Sequence, residues 1–173
     1  MKKGLVIVNT GDSKGKSTAG FGTILRAWGH GMNVAVVQFI KHENAKFGEI
    51  KAGKKLGIRW EVTGTGFVMP GDDPTEAIEH VKQGWKICQE IIQSGEYDML
   101  MMDEFTYALH YGWLDTDEVL AWLKENKPEM MHIIITGRSA PQKLIEHADL
   151  VTEMTPIKHP FEQGIKAQIG VEF

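Results

Sequence analysis

The segment Thr10-Gly11-Asp12-Ser13-Lys14-Gly15-Lys16-Ser17-Thr18 constrains this chain more than any other. It follows the apolar run Leu5–Asn9, which reads as a first strand, and precedes a helical pattern over Ser17–His30 that stops at Gly29 and Gly31. A glycine-rich turn ending in Lys-Ser between a strand and a helix is the pattern of a phosphate-binding loop. Glycines let backbone N–H groups converge on phosphate oxygens, the lysine adds a full charge, and the helix N-terminus adds a partial one. Lys16 is therefore the expected phosphate lysine, and Ser17 the expected Mg²⁺ ligand. The motif is a variant, with Thr10 where the usual first glycine stands and Gly11 one place later. A glycine-rich turn with a surface lysine is the plainer alternative, and the strand-to-helix context favours phosphate.

The rest of the chain agrees with a sheet of buried parallel strands. Val34–Ile40, Met99–Met102 and Ile133–Thr136 are short continuous apolar runs, and Leu150–Met154 reads as a last strand. Such runs suit strands covered on both faces by helices. Asp73-Pro74-Thr75-Glu76 supplies an N-cap, a first-turn proline and a capping-box glutamate. Behind them, Ile78, Val81, Trp85, Cys88 and Ile92 recur at helical spacing. Asp115 and Glu118 cap a further helix ahead of Val119, Leu120 and Leu123. Between Gly64 and Asp73 lies a Gly- and Pro-containing loop. At 173 residues the reading is one α/β domain spanning 1–173, with three layers and a mostly parallel central sheet of the P-loop, RecA-like kind.

Two strand ends carry further chemistry. Met99–Met102 runs into Asp103-Glu104, the place where a phosphate-loop protein sets carboxylates that hold Mg²⁺ or its waters. Alternatively, the second carboxylate orients a water for attack on a γ-phosphate; spacing leaves both open. Thr136-Gly137-Arg138 follows another buried strand, so Arg138 is a candidate for phosphate or substrate, or else a surface arginine. The histidines are isolated and receive no catalytic role.

Charge narrows the partners. Nineteen Lys and Arg against 23 Asp and Glu give a net charge of −4 without a basic stripe, which argues against nucleic acid. One cysteine, Cys88, admits no internal disulfide. Asn9, Gly11 and Asp12 end the first apolar run too soon for a membrane span or signal core, so a cytoplasmic location is expected.

The ordered set of motifs resembles the P-loop ATP:cob(I)alamin (corrinoid) adenosyltransferase family. The carrying segments are Thr10–Thr18, Phe21-Gly22, Arg26-Ala27-Trp28-Gly29-His30-Gly31, Val36–Lys41, Gly64-Thr65-Gly66-Phe67, Asp103-Glu104, Thr136-Gly137-Arg138, Pro156–His159 and the stretch Gly164–Phe173. The resemblance implies transfer of the 5′-deoxyadenosyl group of ATP to the Co(I) of a reduced corrinoid, with triphosphate leaving. It carries Gly11, Lys14, Gly15, Lys16, Ser17 and Thr18 to the phosphate loop, and Glu104 to the acidic Mg²⁺ position beside Asp103. Arg26 and Gln38 become further candidates for the nucleotide site. Phe67 stands at the aromatic position of a loop that packs over the corrinoid and strips its lower axial ligand. Met69 stands where the family usually carries a tryptophan, and Asp12-Ser13 where Asn-Gly is common. The first departure leaves the activating loop without a second flat face; the second brings a carboxylate close to polyphosphate. The family further implies a homodimer and a flavoprotein electron donor. An ordinary phosphate-loop ATPase or small-molecule kinase, or a non-catalytic nucleotide- or corrinoid-binding protein, are the competing readings.

Overall fold

The computed structural model describes residues 2–42, 47–64, 66, 68 and 71–172. Six strands form one sheet: β1 Val6–Thr10, β2 Val34–His42, β3 Arg59–Gly64, β4 Met99–Asp103, β5 His132–Thr136 and β6 Leu150–Glu153. Their order is β3-β2-β4-β5-β1-β6, and every pairing is parallel. All six carboxyl ends therefore open on the same edge, where ligands of open α/β sheets bind. Helices α1 Lys16–Gly29, α2 Gly48–Lys55, α3 Thr75–Ser94, α4 Thr106–His110, α5 Thr116–Asn126 and α6 Gln142–His147 make the connections.

The two-residue period of the strands sorts their side chains between two cores. Val34, Val36, Met99, Met101 and Ile134 face Ile24 and Ala27 of α1. Ala35, Val37, Leu100, Met102, Ile133 and Ile135 face the other way, against Val81, Trp85, Cys88, Ile91 and Ile92 of α3, with Val119, Leu123 and Leu144 alongside. This is why the central strands read as unbroken apolar runs, and it makes the fold three-layered as expected. Each fully buried Val, Leu, Ile or Met among them contributes about 1.5–3 kcal/mol through removal from water. Helix α1 sits close on the sheet because residue 20 is glycine: a Cβ there would stand 2.5 Å from the Met101 Cε. Among the described residues no helix is long and apolar enough to cross a membrane.

The expected elements lie within two residues of the observed ones. The cap of α3 differs in detail, because Thr75 is its first residue and the Asp73 carboxylate accepts from both the amide (3.0 Å) and the hydroxyl (2.6 Å) of Thr75. Asp115 caps α5 as expected, accepting from the Glu118 amide at 2.9 Å. Four elements carry no clear sequence signal. Helix α2 is polar with two glycines, β3 is an edge strand of half-buried residues, and α4 and α6 are five and six residues long. A short 3-10 turn, Pro160–Gln163, lies in a largely exposed closing segment.

Candidate active site

The phosphate loop is braced from β6. Met154 donates its amide to the Thr10 carbonyl (2.8 Å), and its own carbonyl accepts from the Ser13 amide (3.0 Å). Gly11 is required between these contacts: its φ is 96°, and a Cβ would stand 2.5 Å from the Met154 carbonyl oxygen. Helix α1 then starts at Lys16 without a side-chain cap and without an acidic residue in its first turn. Its N-terminal amides and partial positive charge are thus left for an anion. The Lys16 side chain is buried, and its ammonium donates to the Ser13 carbonyl at 2.6 Å. Burial lowers its pKa, against the opposing pull of Glu104, Asp12 and Asp103. Ser13, Gly15 and Ser17 are half-buried in the loop, whereas Asp12, Lys14 and Thr18 are exposed. Lys14 pairs with Glu172 of the closing segment at 3.2 Å.

Across the sheet edge, the topology assembles the acidic half of the site. Strand β5 lies between β1 and β4, so Thr136 stands next to Asp103. The Thr136 hydroxyl donates to Asp103 Oδ1 (2.8 Å) and accepts from the Glu104 amide (3.0 Å). Asp103 Oδ2 accepts from Gln38 Nε2 (2.9 Å), and Lys41 Nζ lies 3.8 Å away. With no solvent exposure and both oxygens hydrogen-bonded, Asp103 is a fixed anchor. Glu104 differs. Its φ of 59° is a left-handed conformation rare outside glycine, and its Oε2 is buried without a hydrogen-bond partner. Burial first, and then the Asp103 charge, push its pKa up to about 7, while Lys16, Lys41 and Arg138 pull it back. Strain and an orphaned buried oxygen cluster where a ligand completes the structure.

A cation between the loop and Glu104 fits this arrangement. Mg²⁺ takes only one or two protein oxygens and fills its shell with phosphate and water. Glu104 and Ser17 are the residues that would hold it. Asp103, expected with Glu104 to hold Mg²⁺ or its waters, accepts a hydrogen bond on each oxygen, from Gln38 and from Thr136. Among the described residues, no three of His, Cys, Asp and Glu come together as a metal cluster.

Other candidate positions divide. Arg138 is exposed beside the site and acts on Lys16 and Glu104 through its charge, and its carbonyl accepts from the Thr106 hydroxyl at 2.6 Å. Gly137 permits that clamp, since a Cβ there would stand 2.1 Å from Thr106 Oγ1. Gln38, expected at the nucleotide, is wholly buried, with its Oε1 accepting from Trp60 Nε1 at 2.8 Å while its Nε2 holds Asp103. Its hydrogen bond fixes Asp103 from the core side. Arg26 is not brought to the loop: it is exposed near the end of α1, ten residues beyond Lys16 and about 15 Å along the axis at 1.5 Å per residue. Phe67 and Met69 lie outside the described residues.

Lys41 was missed as a site residue. It is the penultimate residue of β2, pairs with Glu49 (2.6 Å) and stands over the rings of Phe47 (4.3 Å) and Phe21 (5.7 Å). A lone lysine at a strand end carries no signal of such partners. Thr106 was missed for the same reason, since only its contact with the residue-138 carbonyl gives it a role.

Comparison with known proteins assigns this geometry to a family. The model of the ATP:corrinoid adenosyltransferase BtuR/CobO/CobP family matches residues 2–173. A corrinoid adenosyltransferase of Sinorhizobium sp. is 48% identical over 174 residues, covering 99% of this chain and 81% of that protein. The corrinoid adenosyltransferase of Pseudomonas aeruginosa is 40% identical (99% and 85% covered), and corrinoid adenosyltransferase CobA of Salmonella typhimurium is 37% identical (99% and 87%). The crystal structure of flagellar accessory protein FlaH from Methanocaldococcus jannaschii superposes with a TM-score of 0.60 at 13% identity, over 87% of this chain and 70% of that one, a likeness of fold alone. With its phosphate loop, its carboxylates at the end of β4 and a match along nearly its whole length, the chain belongs to the ATP:corrinoid adenosyltransferase family of enzymes.

Proposed function

We propose that this enzyme transfers the 5′-deoxyadenosyl group of ATP to the Co(I) centre of a reduced corrinoid and releases triphosphate. The observation that carries the reading is the pairing of an uncapped helix N-terminus and buried Lys16 with the orphaned oxygen of Glu104 at one sheet edge. In this reaction the cobalt(I) electron pair forms the Co–C5′ bond, and the C5′–O bond breaks with its pair leaving on triphosphate. The nucleophile carries no proton, so no side-chain base is required.

The phosphate loop has a single task in this scheme. Its amides and Lys16 hold the three phosphates and neutralise the charge that grows on the departing oxygen. Mg²⁺, when bound through Glu104 and Ser17, supplies further neutralisation of the triphosphate. Asp103 keeps Glu104 in place through the hydroxyl of Thr136, and Arg138, exposed beside Lys16 and Glu104, would meet phosphate or substrate. Phe67 belongs to the loop that would press on the corrinoid and remove its lower ligand, with Met69 as its apolar companion. The enzyme would work in the cytoplasm as a homodimer, with a flavoprotein as the source of the electron.

An anaerobic assay with MgATP and chemically reduced cobalamin tests the reading. The expected result is loss of the Co(I) absorption, a light-sensitive product, and one triphosphate per cobalt–carbon bond. Steady release of orthophosphate without corrinoid, and no light-sensitive product, would make the chain an ATPase instead.

A further inference from the structure

The closing segment 155–172 is joined to the phosphate loop at both ends. At its start the Met154 carbonyl accepts from the Ser13 amide (3.0 Å), and the Met154 sulfur lies 3.0 Å from where a Cβ on Gly15 would stand. At its far end Glu172 Oε1 meets the Lys14 ammonium at 3.2 Å. The segment thus departs beside Ser13 and returns to the neighbouring residue, Lys14. Long irregular segments whose ends are held together are commonly functional.

Between these ends the segment has little else to hold it. Ile157, Phe161, Ile169 and Val171 are exposed, so burial of apolar surface does not fasten it. Among the described residues, its remaining hydrogen bonds are internal. His159 Nδ1 accepts from the Phe161 amide (3.1 Å), and the Gln168 carbonyl accepts from the amides of Val171 and Glu172 (3.2 and 3.0 Å). A stretch with so few buried contacts opens at low cost unless it is tied down. The turn at Gln168 prepares the tie: Glu172 Oε2 accepts from the Gln168 amide at 2.8 Å, which aims Oε1 at Lys14.

Lys14 belongs to the phosphate loop, and a carboxylate oxygen and a phosphate oxygen are alternative anionic acceptors for its ammonium. A solvent-screened pair such as Glu172–Lys14 is weak. Triphosphate, held at the same time by the loop amides and Lys16, brings several charges. We propose that Glu172 competes with bound polyphosphate for Lys14, so that binding of triphosphate or ATP frees the closing segment from the loop. The proposal rests on the phosphate-site reading and adds a coupling from that site to the segment. By linkage, fastening the segment weakens polyphosphate binding by the same factor.

Equilibrium dialysis of inorganic triphosphate with Mg²⁺, without corrinoid, tests this on the parent, Glu172→Gln, Lys14→Met and the double variant, with equal thermal unfolding as the control for folding. Glu172→Gln is expected to bind triphosphate roughly 2- to 5-fold more tightly than the parent, and the double variant to match Lys14→Met. Hydrogen exchange of peptides from 155–172, read by mass spectrometry, should be faster in Glu172→Gln than in the parent, and faster in the parent once triphosphate is added. Equal or weaker binding by Glu172→Gln would overturn the competition, as would the same gain in the Lys14→Met background, which a general change of charge would produce. Slower exchange of the segment on adding triphosphate would overturn release in favour of closure over the ligand. A parent protein that binds no triphosphate would overturn the phosphate-site reading and with it the competition, and the exchange of Glu172→Gln against the parent would still decide whether Glu172 ties the segment down.

Discussion

Glu104→Gln separates the ligand-free cost of this site from its use. The carboxyl of Glu104 is raised from an ordinary 4.5 to about 7 by burial and by Asp103. At about 1.4 kcal/mol per pH unit, ionising it in place costs the folded protein about 3 kcal/mol. Between pH 4.5 and 7 the folded chain retains a proton that the unfolded chain has released, so stability falls as pH rises through that window. The contribution is complete below pH 4.5 and gone above about 7. Glutamine keeps the shape and stays neutral. At pH 5 the two proteins should differ by less than about 1 kcal/mol, and at pH 8 the glutamine variant should be more stable by up to about 3 kcal/mol, or about 6–12 °C in Tm for a chain of this size. Thermal unfolding of ligand-free protein across pH 5–8.5 measures this. Adding Mg²⁺ and ATP should then stabilise the parent more than the variant, because the loop and Lys16 still bind the phosphates while the cation needs the ionised oxygen. Parallel pH curves for the two proteins would refute the argument that Glu104 is held charged at a cost in an incomplete site.

Three further substitutions probe the same edge. Lys16→Ala removes a charged phosphate contact worth about 1.5–3 kcal/mol, so ATP affinity should fall roughly 10- to 150-fold in equilibrium dialysis, with turnover falling too. Gln38→Leu strips one partner each from Asp103 and Trp60 and should cost about 2–3 kcal/mol in urea unfolding, along with a loss of Mg²⁺-dependent activity that an inert core residue would not show. Gly137→Ala forces a Cβ onto the Thr106 hydroxyl at a φ of 136° and should cost about 1–3 kcal/mol while raising the KM for the acceptor, through release of Arg138 from its clamp.

Much of the architecture was legible in the chain because its signals are local. The apolar runs at Val34, Met99 and Ile133 announce strands covered on both faces, and the glycines and lysines of Thr10–Thr18 announce their own loop geometry. Caps at Asp73 and Asp115 act within three residues of themselves. Elements whose stability comes from docking left no such trace. Helix α2 holds its place by seating Ile50 and Gly53, the latter against Trp60, and β3 is a strand only because β2 offers it an edge.

The site divides along the same line. From the order of its residues the chain declares a phosphate loop, a carboxylate pair at a strand end, and a family; these depend on backbone turns and on motifs a few residues long. Which carboxylate is free is a different kind of fact. It follows from β5 being inserted between β1 and β4, which sets Thr136 against Asp103, and from β2 bringing Gln38 to the other oxygen. Arg26 and Gln38 looked equivalent in sequence, yet one is carried about 15 Å along a helix and the other is closed into the core. Partners 33 and 65 residues apart are chosen by strand order, and strand order is set by the packing of whole layers, which no short segment encodes.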